Sequence, residues 1–547
     1  MSTQSFENQL QKVTFRKTKR KTKRKIKLIM ENTKQNNLSY TIFIAAVVSL
    51  GGFLFGFDAA IISGVVGSVE NLFGLSDAQT GFVVSAPSWA AMIAMLVAGI
   101  VSDFIGRKRV LIAVAFLYAL SALLSAYASS YEMLAVARMV GGVAFGAALI
   151  LALMYIAEIS SAENRGKLVS IQQLNIVLGF SAAYFSSYYL NDLSGSAEGM
   201  INKENAWRWM LGIEMIPAVL YFFLLFLVPK SPRWLMSKGK DKEALSILNR
   251  LYGAQSTAQS VFQNIKKSLT EKAEKVSYSE LFKPSMRFVL FIGLAVGILQ
   301  QITGINAVFF YATSIFEQTG IGTDAAFAQS VIVGIINVIF TLLVMVLIDR
   351  MGRRPLLLIG IAGVAISLLV TSYGFHQATY ELTSEKITTL EEVDQTRLTA
   401  VANITYDNDV DFKNATKAAL GETEFKAHQS EIIQAAANIN PYLILFGILG
   451  FVSSFAFSLG PVMWVLLSEL FPNRIRGLAI GLIGLINSFA SALVQQIFPW
   501  ELSTFGNSMT FLIYGLFAVV GFFIFLKILP ETKGKSLEEI EKQFVRD

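Results

Sequence analysis

Gly51-Gly-Phe-Leu-Phe-Gly-Phe-Asp58-Ala-Ala-Ile-Ile-Ser-Gly64 lies within an apolar run from about residue 41 to 67. Roughly 20 apolar residues suffice to cross a bilayer as a helix. Asp58 is the only ionisable group in the run, and a carboxylate at that depth costs on the order of 2.5–3.5 kcal/mol even on insertion scales. Such a group is expected to face a partner, a water-filled cavity or a proton.

Eleven further runs follow, at about 80–102, 110–129, 132–157, 168–190, 208–228, 288–316, 325–348, 355–375, 441–467, 478–499 and 507–527. The 547 residues are 54% hydrophobic and 16% charged, against about 25% charged in soluble proteins. The fold class expected is therefore an all-α membrane protein of twelve transmembrane helices. The chain has no cysteine, so a disulfide framework or thiolate metal site is excluded. His376 and His428 lie outside the runs, which excludes a histidine relay within the membrane. No nucleotide loop, metal cluster or nucleophile–base set is found; the expectation is no enzyme, no cofactor, no metal and no catalytic residue.

The net charge of +7 misleads. Residues 1–29 carry ten Lys/Arg against one acid, Glu7, a local +9 that leaves the remainder at −2. Nucleic acid is therefore not an expected partner. The tail reads either as a cytoplasmic segment leaning on anionic membrane lipid or as an extension upstream of a true start at Met30. Arg107-Lys108-Arg109, Arg165 with Lys167, Arg350 with Arg353 and Arg354, and Arg474 with Arg476 all follow even-numbered runs. The positive-inside rule then puts these loops and both termini in the cytoplasm.

The chain divides into a basic tail (1–38), a first six-helix bundle (39–228), a cytoplasmic helical linker (229–287), a second bundle (288–528) and a cytoplasmic tail (529–547). Residues 376–440 join runs 9 and 10 on the outer side, with eleven Asp/Glu against five Lys/Arg. They read as a small folded cap or a disordered loop. The halves repeat. Asp103-Phe-Ile-Gly-Arg107 matches Asp349-Arg-Met-Gly-Arg353, Glu158 with Arg165-Gly166 matches Glu469 with Arg476-Gly477, and Pro229-Lys230 matches Pro530-Glu531. The offset grows from 246 to 311 residues between the first two pairs, and the 65 extra residues equal segment 376–440. A duplicated six-span unit implies two bundles rocking about a site between them. The acids and arginines of the first two motif pairs are expected to form a cytoplasmic ion-pair gate between bundles; their plainer reading is positive-inside charge.

Asp58, Arg138 and Glu214 are the three ionisable residues clearly inside the runs. At 1.5 Å per helical residue they lie roughly 13, 9 and 9 Å from the outer surface, all in the first bundle. Mutual contact is expected, either as a coupling device or as a static pair that fixes packing. Neutral amides suit a polyhydroxylated ligand, because each both donates and accepts. Gln172, Gln173, Gln300, Gln301, Asn306, Asn337 and Asn487 supply them in apolar helices.

Taken with Arg138-Met-Val-Gly-Gly142, Ser231-Pro-Arg-Trp234, Gln300-Gln-Ile-Thr-Gly-Ile-Asn306, Gly460-Pro-Val-Met-Trp464 and Pro530-Glu-Thr-Lys-Gly534, the chain resembles the sugar porter family of the major facilitator superfamily from residue 40 to 541, with greatest likeness to bacterial proton–xylose symporters. The resemblance implies the major facilitator fold, a sugar and protons as partners, and a multi-pass protein of the bacterial inner membrane, functional as a monomer. It implies sugar contact at Phe55, Gln173, Gln300, Gln301, Asn306, Asn337, Trp464 and Asn487. Proton coupling is implied at the positions of Asp58 and Glu214 with Arg138 as partner; passive relatives carry a neutral residue at the position of Asp58. The expected function is a proton-coupled monosaccharide (pentose or hexose) symporter working by alternating access. A facilitative uniporter and a non-transporting sugar sensor are the alternatives. Phe180, Phe310 and Ser488 depart from the polar or aromatic residues usual in the xylose symporters, and Lys230 replaces the usual acid, so the resemblance does not carry xylose itself.

Overall fold

The computed structural model describes residues 38–161, 164–195, 200–253, 255–270, 278–472 and 474–533. The expectations for residues 1–37 and for most of the final tail lie outside them. Eleven described helices are long and apolar enough to cross a membrane. They are α1 (Leu38–Gly64), α2 (Asp77–Ile105), α3 (Arg107–Ala126), α4 (Tyr131–Ile159), α5 (Arg165–Ser194), α6 (Ala206–Leu227), α7 (Pro284–Phe310), α8 (Thr323–Met351), α9 (Arg353–His376), α10 (Pro441–Leu470) and a 53-residue run, Arg476–Ile528. The last is two helices, because Gly506 leaves helical geometry at φ 77°, ψ 170°. We call them α11 (476–505) and α12 (507–528). The chain is thus an all-α membrane protein of twelve spans, as expected.

Both described chain ends lie on one face, here the terminal face, since an even number of spans returns the chain to its starting side. The sequence repeat is also a structural one. Gly106 and Gly352 end α2 and α8 at φ 97° and 96°, a region open to glycine, and an arginine begins the next helix. Arg107 pairs with Asp103 at 2.7 Å and Glu158 at 3.1 Å. Arg353 pairs with Asp349 at 3.3 Å and Glu469 at 2.8 Å.

Two seams join the bundles: α2 against α11, and α5 against α8. Among the described residues, the hydrogen bonds crossing between bundles include Ser63–Thr313, Ser88–Gln495, Trp89–Gln496, Ser503–Asp77, Tyr184–Phe309 carbonyl and Asn191–Asp324. All lie in the half of the spans away from the terminal face, so the bundles are closed together there.

Segment 376–440 is the folded alternative. Strands β1 (Thr379–Glu381), β2 (Thr405–Tyr406) and β3 (Ala437–Asn438) pair antiparallel in the order β2-β1-β3. Short helices complete a separate core with Tyr380, Leu398, Phe412, Phe425 and Ile432 buried. The cap grips both bundles. Asp409 accepts from the Asn507 side chain at 2.8 Å at the start of α12. Lys426 donates to the Leu75 carbonyl at 2.8 Å and lies 3.7 Å from Glu70 of the first bundle. On the terminal face the linker helices Pro232–Ser237, Asp241–Tyr252 and Gln255–Thr270 bury Trp234, Leu235, Leu248 and Phe262 together.

Candidate functional site

Three spans are interrupted near candidate residues, and a fourth carries a proline within an unbroken helix. A proline has no N–H to give the carbonyl four residues before it, and its ring crowds that carbonyl. Pro217 is four residues after Ile213, and α6 breaks at Ile213–Glu214. Pro461 is four after Phe457, and α10 breaks at Ser458 (φ −137°, ψ −89°). In α7 the break falls at Thr303–Gly304, between Gln301 and Asn306. In α2, Pro87 stands inside the helix.

Of the three buried charges, Asp58 and Arg138 make direct contact. Arg138 Nη1 donates to Asp58 Oδ1 at 2.6 Å, with the arginine side chain 1% exposed. Glu214 is buried and within electrostatic reach of both. Tyr118 and Tyr221, also buried, donate to the Gly51 and Val48 carbonyls of α1 and wall the cluster. No second cation pairs with Asp58 among the described residues, so the carboxylate's charge is matched by one guanidinium, and a proton on Asp58 would leave Arg138 without it.

Across the interface the amides of the second bundle form one network. Asn487 donates to Gln300 Oε1 at 2.8 Å and to the Gly297 carbonyl at 2.7 Å. Gln301 donates to Gln300 and Asn487 at 3.2 and 3.3 Å. Asn306 donates to Gln301 at 2.8 Å and Ser491 at 2.6 Å. Gln300 also donates to the Leu459 carbonyl at 2.8 Å, beside the α10 break. Asn337 is buried on α8 and Gln173 half-buried on α5. Gln172 is turned away, donating to the Leu149 carbonyl at 3.1 Å. Trp464 lies six residues past the α10 break, 41% exposed and against Gly484.

Phe55 touches Phe145 (centroids 4.7 Å) and, edge-on, Phe180 (6.4 Å); Phe180 packs on Phe309 of the second bundle at 4.7 Å. Phe180, read from the sequence only as a lost polar group, therefore links the two bundles. Ser491 and Gln495 were missed. Gln495 donates to Ser491 and accepts from Ser88, extending the amide network across the seam. Their signal was one hydroxyl and one amide at helical spacing from Asn487, a pattern that interhelical packing also produces.

The gate expectation needs correction in one respect. The ion pairs of Arg107 and Arg353 run within their own bundles, so in this conformation they brace each bundle rather than join the two. Arg165 stands exposed at the start of α5, and Arg476 donates to the Phe471 carbonyl at 3.2 Å. Lys230 explains an asymmetry between halves. Glu531 accepts from the backbone N–H groups of Arg353 and Arg354, both at 3.2 Å. Lys230, its repeat partner, can accept nothing and instead pairs with Glu243 of the linker at 2.9 Å.

A family model described as "Sugar (and other) transporter" matches residues 44–390 and 425–544, leaving out only part of the cap between them. The chain is 34% identical to the arabinose-proton symporter of Bacillus subtilis, over 94% of this chain and 97% of that one. It is 34% identical to the D-xylose-proton symporter of Escherichia coli, over 93% and 96%. Among solved structures, the inward open conformation of the E. coli xylose transporter XylE superposes with a TM-score of 0.70 at 31% identity, covering 92% of this chain and all of that one. The same transporter bound to 6-bromo-6-deoxy-D-glucose gives 0.66 at 32% identity, over 93% and 100%.

Proposed function

Because the chain belongs to the "Sugar (and other) transporter" family of multi-pass membrane transporters, we propose that it is a proton-coupled monosaccharide symporter, taking a pentose or hexose by alternating access. The observation that carries this reading is the buried Asp58–Arg138 pair with Glu214 beside it. A buried ion pair is a costly way to hold two helices together, since apolar residues of like volume do as well or better. It does respond to a proton, and a mere packing contact does not.

On this reading the terminal face is cytoplasmic and the cap lies outside a bacterial inner membrane, with residues 39–228 and 288–528 as the rocking bodies. Asp58 takes its proton when the cap side is open, and the sugar binds the Gln300–Gln301–Asn306–Asn487 network with Gln173, Asn337, Phe55 and Trp464 around it. Asp58 and the amide network lie in different bundles, so coupling is conformational: each ligand biases the same bundle equilibrium. The likeness to the inward open transporter and the closed cap-side seam both support assigning this structure to the inward-facing end of the cycle.

The test is uptake of labelled pentoses and hexoses into liposomes with and without an imposed pH gradient. We expect accumulation against the sugar gradient only when protons flow inward. Asp58→Asn should abolish that accumulation and leave sugar exchange. Gradient-independent equilibration would replace the proposal by facilitation, and binding without flux would make the protein a sensor.

A further inference from the structure

Pro87 is the eleventh residue of α2 and has no N–H for the Val83 carbonyl one turn earlier. That carbonyl lies in the span's interior, where water cannot satisfy it. Arg138 of α4 does so, its Nε donating to Val83 O at 3.4 Å while Nη1 holds Asp58. The approach is set by Gly142, one turn beyond Arg138 on the same face of α4. A Cβ at Gly142 would lie 2.2 Å from the Pro87 carbonyl oxygen. The residues that follow Pro87 cross the seam: Ser88 donates to Gln495 at 2.9 Å, and Trp89 to Gln496 at 2.8 Å. Gln495 bonds Ser491, which accepts from Asn306 of the amide network. One short stretch of α2, 83–89, thus holds the arginine of the charged pair at one end and the polar site of the other bundle at its other end.

We propose that Pro87 is a positioning residue for the Asp58–Arg138 pair, leaving the Val83 carbonyl free as the acceptor that orients the guanidinium and ties it to the segment of α2 that bonds the opposite bundle. The functional half of this inference rests on the symport reading; the positional half does not. Arg138 Nη2 has no hydrogen-bond partner among the described residues, so Val83 is one of few acceptors holding the fork in place. Pro87→Ala would restore an N–H that competes with Arg138 for the Val83 carbonyl.

The experiment is a double-mutant cycle of Pro87→Ala and Arg138→Lys in the full-length protein, read by unfolding equilibrium and by uptake. Lysine keeps the charge but lacks the planar fork that reaches Asp58 and Val83 together. Any general gain in helicity from removing the proline is common to both backgrounds and cancels. We expect the effects on unfolding to be non-additive by about two- to tenfold, the worth of one hydrogen bond. Additive effects would overturn the proposal whatever transport does. In uptake, Pro87→Ala should lower gradient-driven accumulation about two- to tenfold more than it lowers sugar exchange, and this excess should vanish in the Arg138→Lys background. Equal losses in accumulation and exchange would overturn the role in coupling. Gradient-independent uptake by the unmodified protein would sink the symport reading, and the unfolding cycle would still decide whether Pro87 positions Arg138.

Discussion

At the scale of single residues, the polar groups differ in how many partners depend on them. Asn487 bonds the Gly297 carbonyl and two glutamines at once. Asn487→Ala strips partners from buried amides, each costing about 1–3 kcal/mol if left unmet. Sugar affinity, measured by calorimetry or fluorescence, should fall about tenfold or more. Glu70 makes the second residue-scale prediction. Burial raises its carboxyl above the ordinary 4.5, Lys426 and Lys417 oppose the rise, and Asp77 adds to it. A raised acid binds its proton more tightly with the cap seated than with it lifted. The stabilisation is therefore fully present below the ordinary value and is lost as pH rises through the raised one. Hydrogen exchange in Val66–Phe73 and 422–427, corrected for intrinsic rate, should slow as pH is lowered through that range. Glu70→Gln should flatten the dependence; an unchanged profile would remove Glu70 from the cap's grip.

At the scale of elements, the approach of α4 to α2 is one of several that leave no room for a side chain. Gly142→Ala puts a methyl against the Pro87 backbone and should cost about 1–3 kcal/mol, the usual range for overpacking. It should lower the thermal unfolding midpoint by several degrees. Gly166→Ala is the control, since a Cβ there meets nothing within 4 Å; it should stay within about 0.5 kcal/mol of the unmodified protein. The helix breaks belong to this scale too. The break in α6 falls at Glu214, that in α7 directly follows the glutamine pair, and that in α10 precedes Trp464 by six residues. Irregular backbone within a membrane protein is tolerated where it is buried or lines a cavity, which is where binding sites are built.

At the scale of the whole molecule, the cap-side seam is the surface that must part if the bundles rock. Ser63 and Thr313 face each other across it with their oxygens 2.9 Å apart, and the chain has no native cysteine. Oxidising the double variant Ser63→Cys, Thr313→Cys should form a disulfide that stops transport, and reduction should restore it. Undiminished uptake after complete cross-linking would mean that the seam does not open during the cycle. The cap touches both sides of the same seam, at α12 and at the loop before α2.

Hydrophobicity and length alone determined the twelve spans, because a bilayer accepts only long apolar stretches whose backbone bonds close on themselves. The same cost made Asp58, Arg138 and Glu214 legible: an ionisable group in such a stretch is too expensive to be incidental. The amides Gln300, Gln301, Asn306 and Asn487 stood out for a like reason. Tertiary structure decided the pairings. Which acid meets Arg138, which carbonyl Pro87 frees for it, and how Ser491 and Gln495 carry the network across the seam depend on helix rotation and approach, which no period in the sequence encodes. Packing also turned the loop charges inward to brace each bundle, and folded residues 376–440 around Phe412 and Phe425. Their scattered apolar residues sit on short helices and strands with little pattern of their own, and only assembled do they bury enough surface to offset the entropy of ordering the segment.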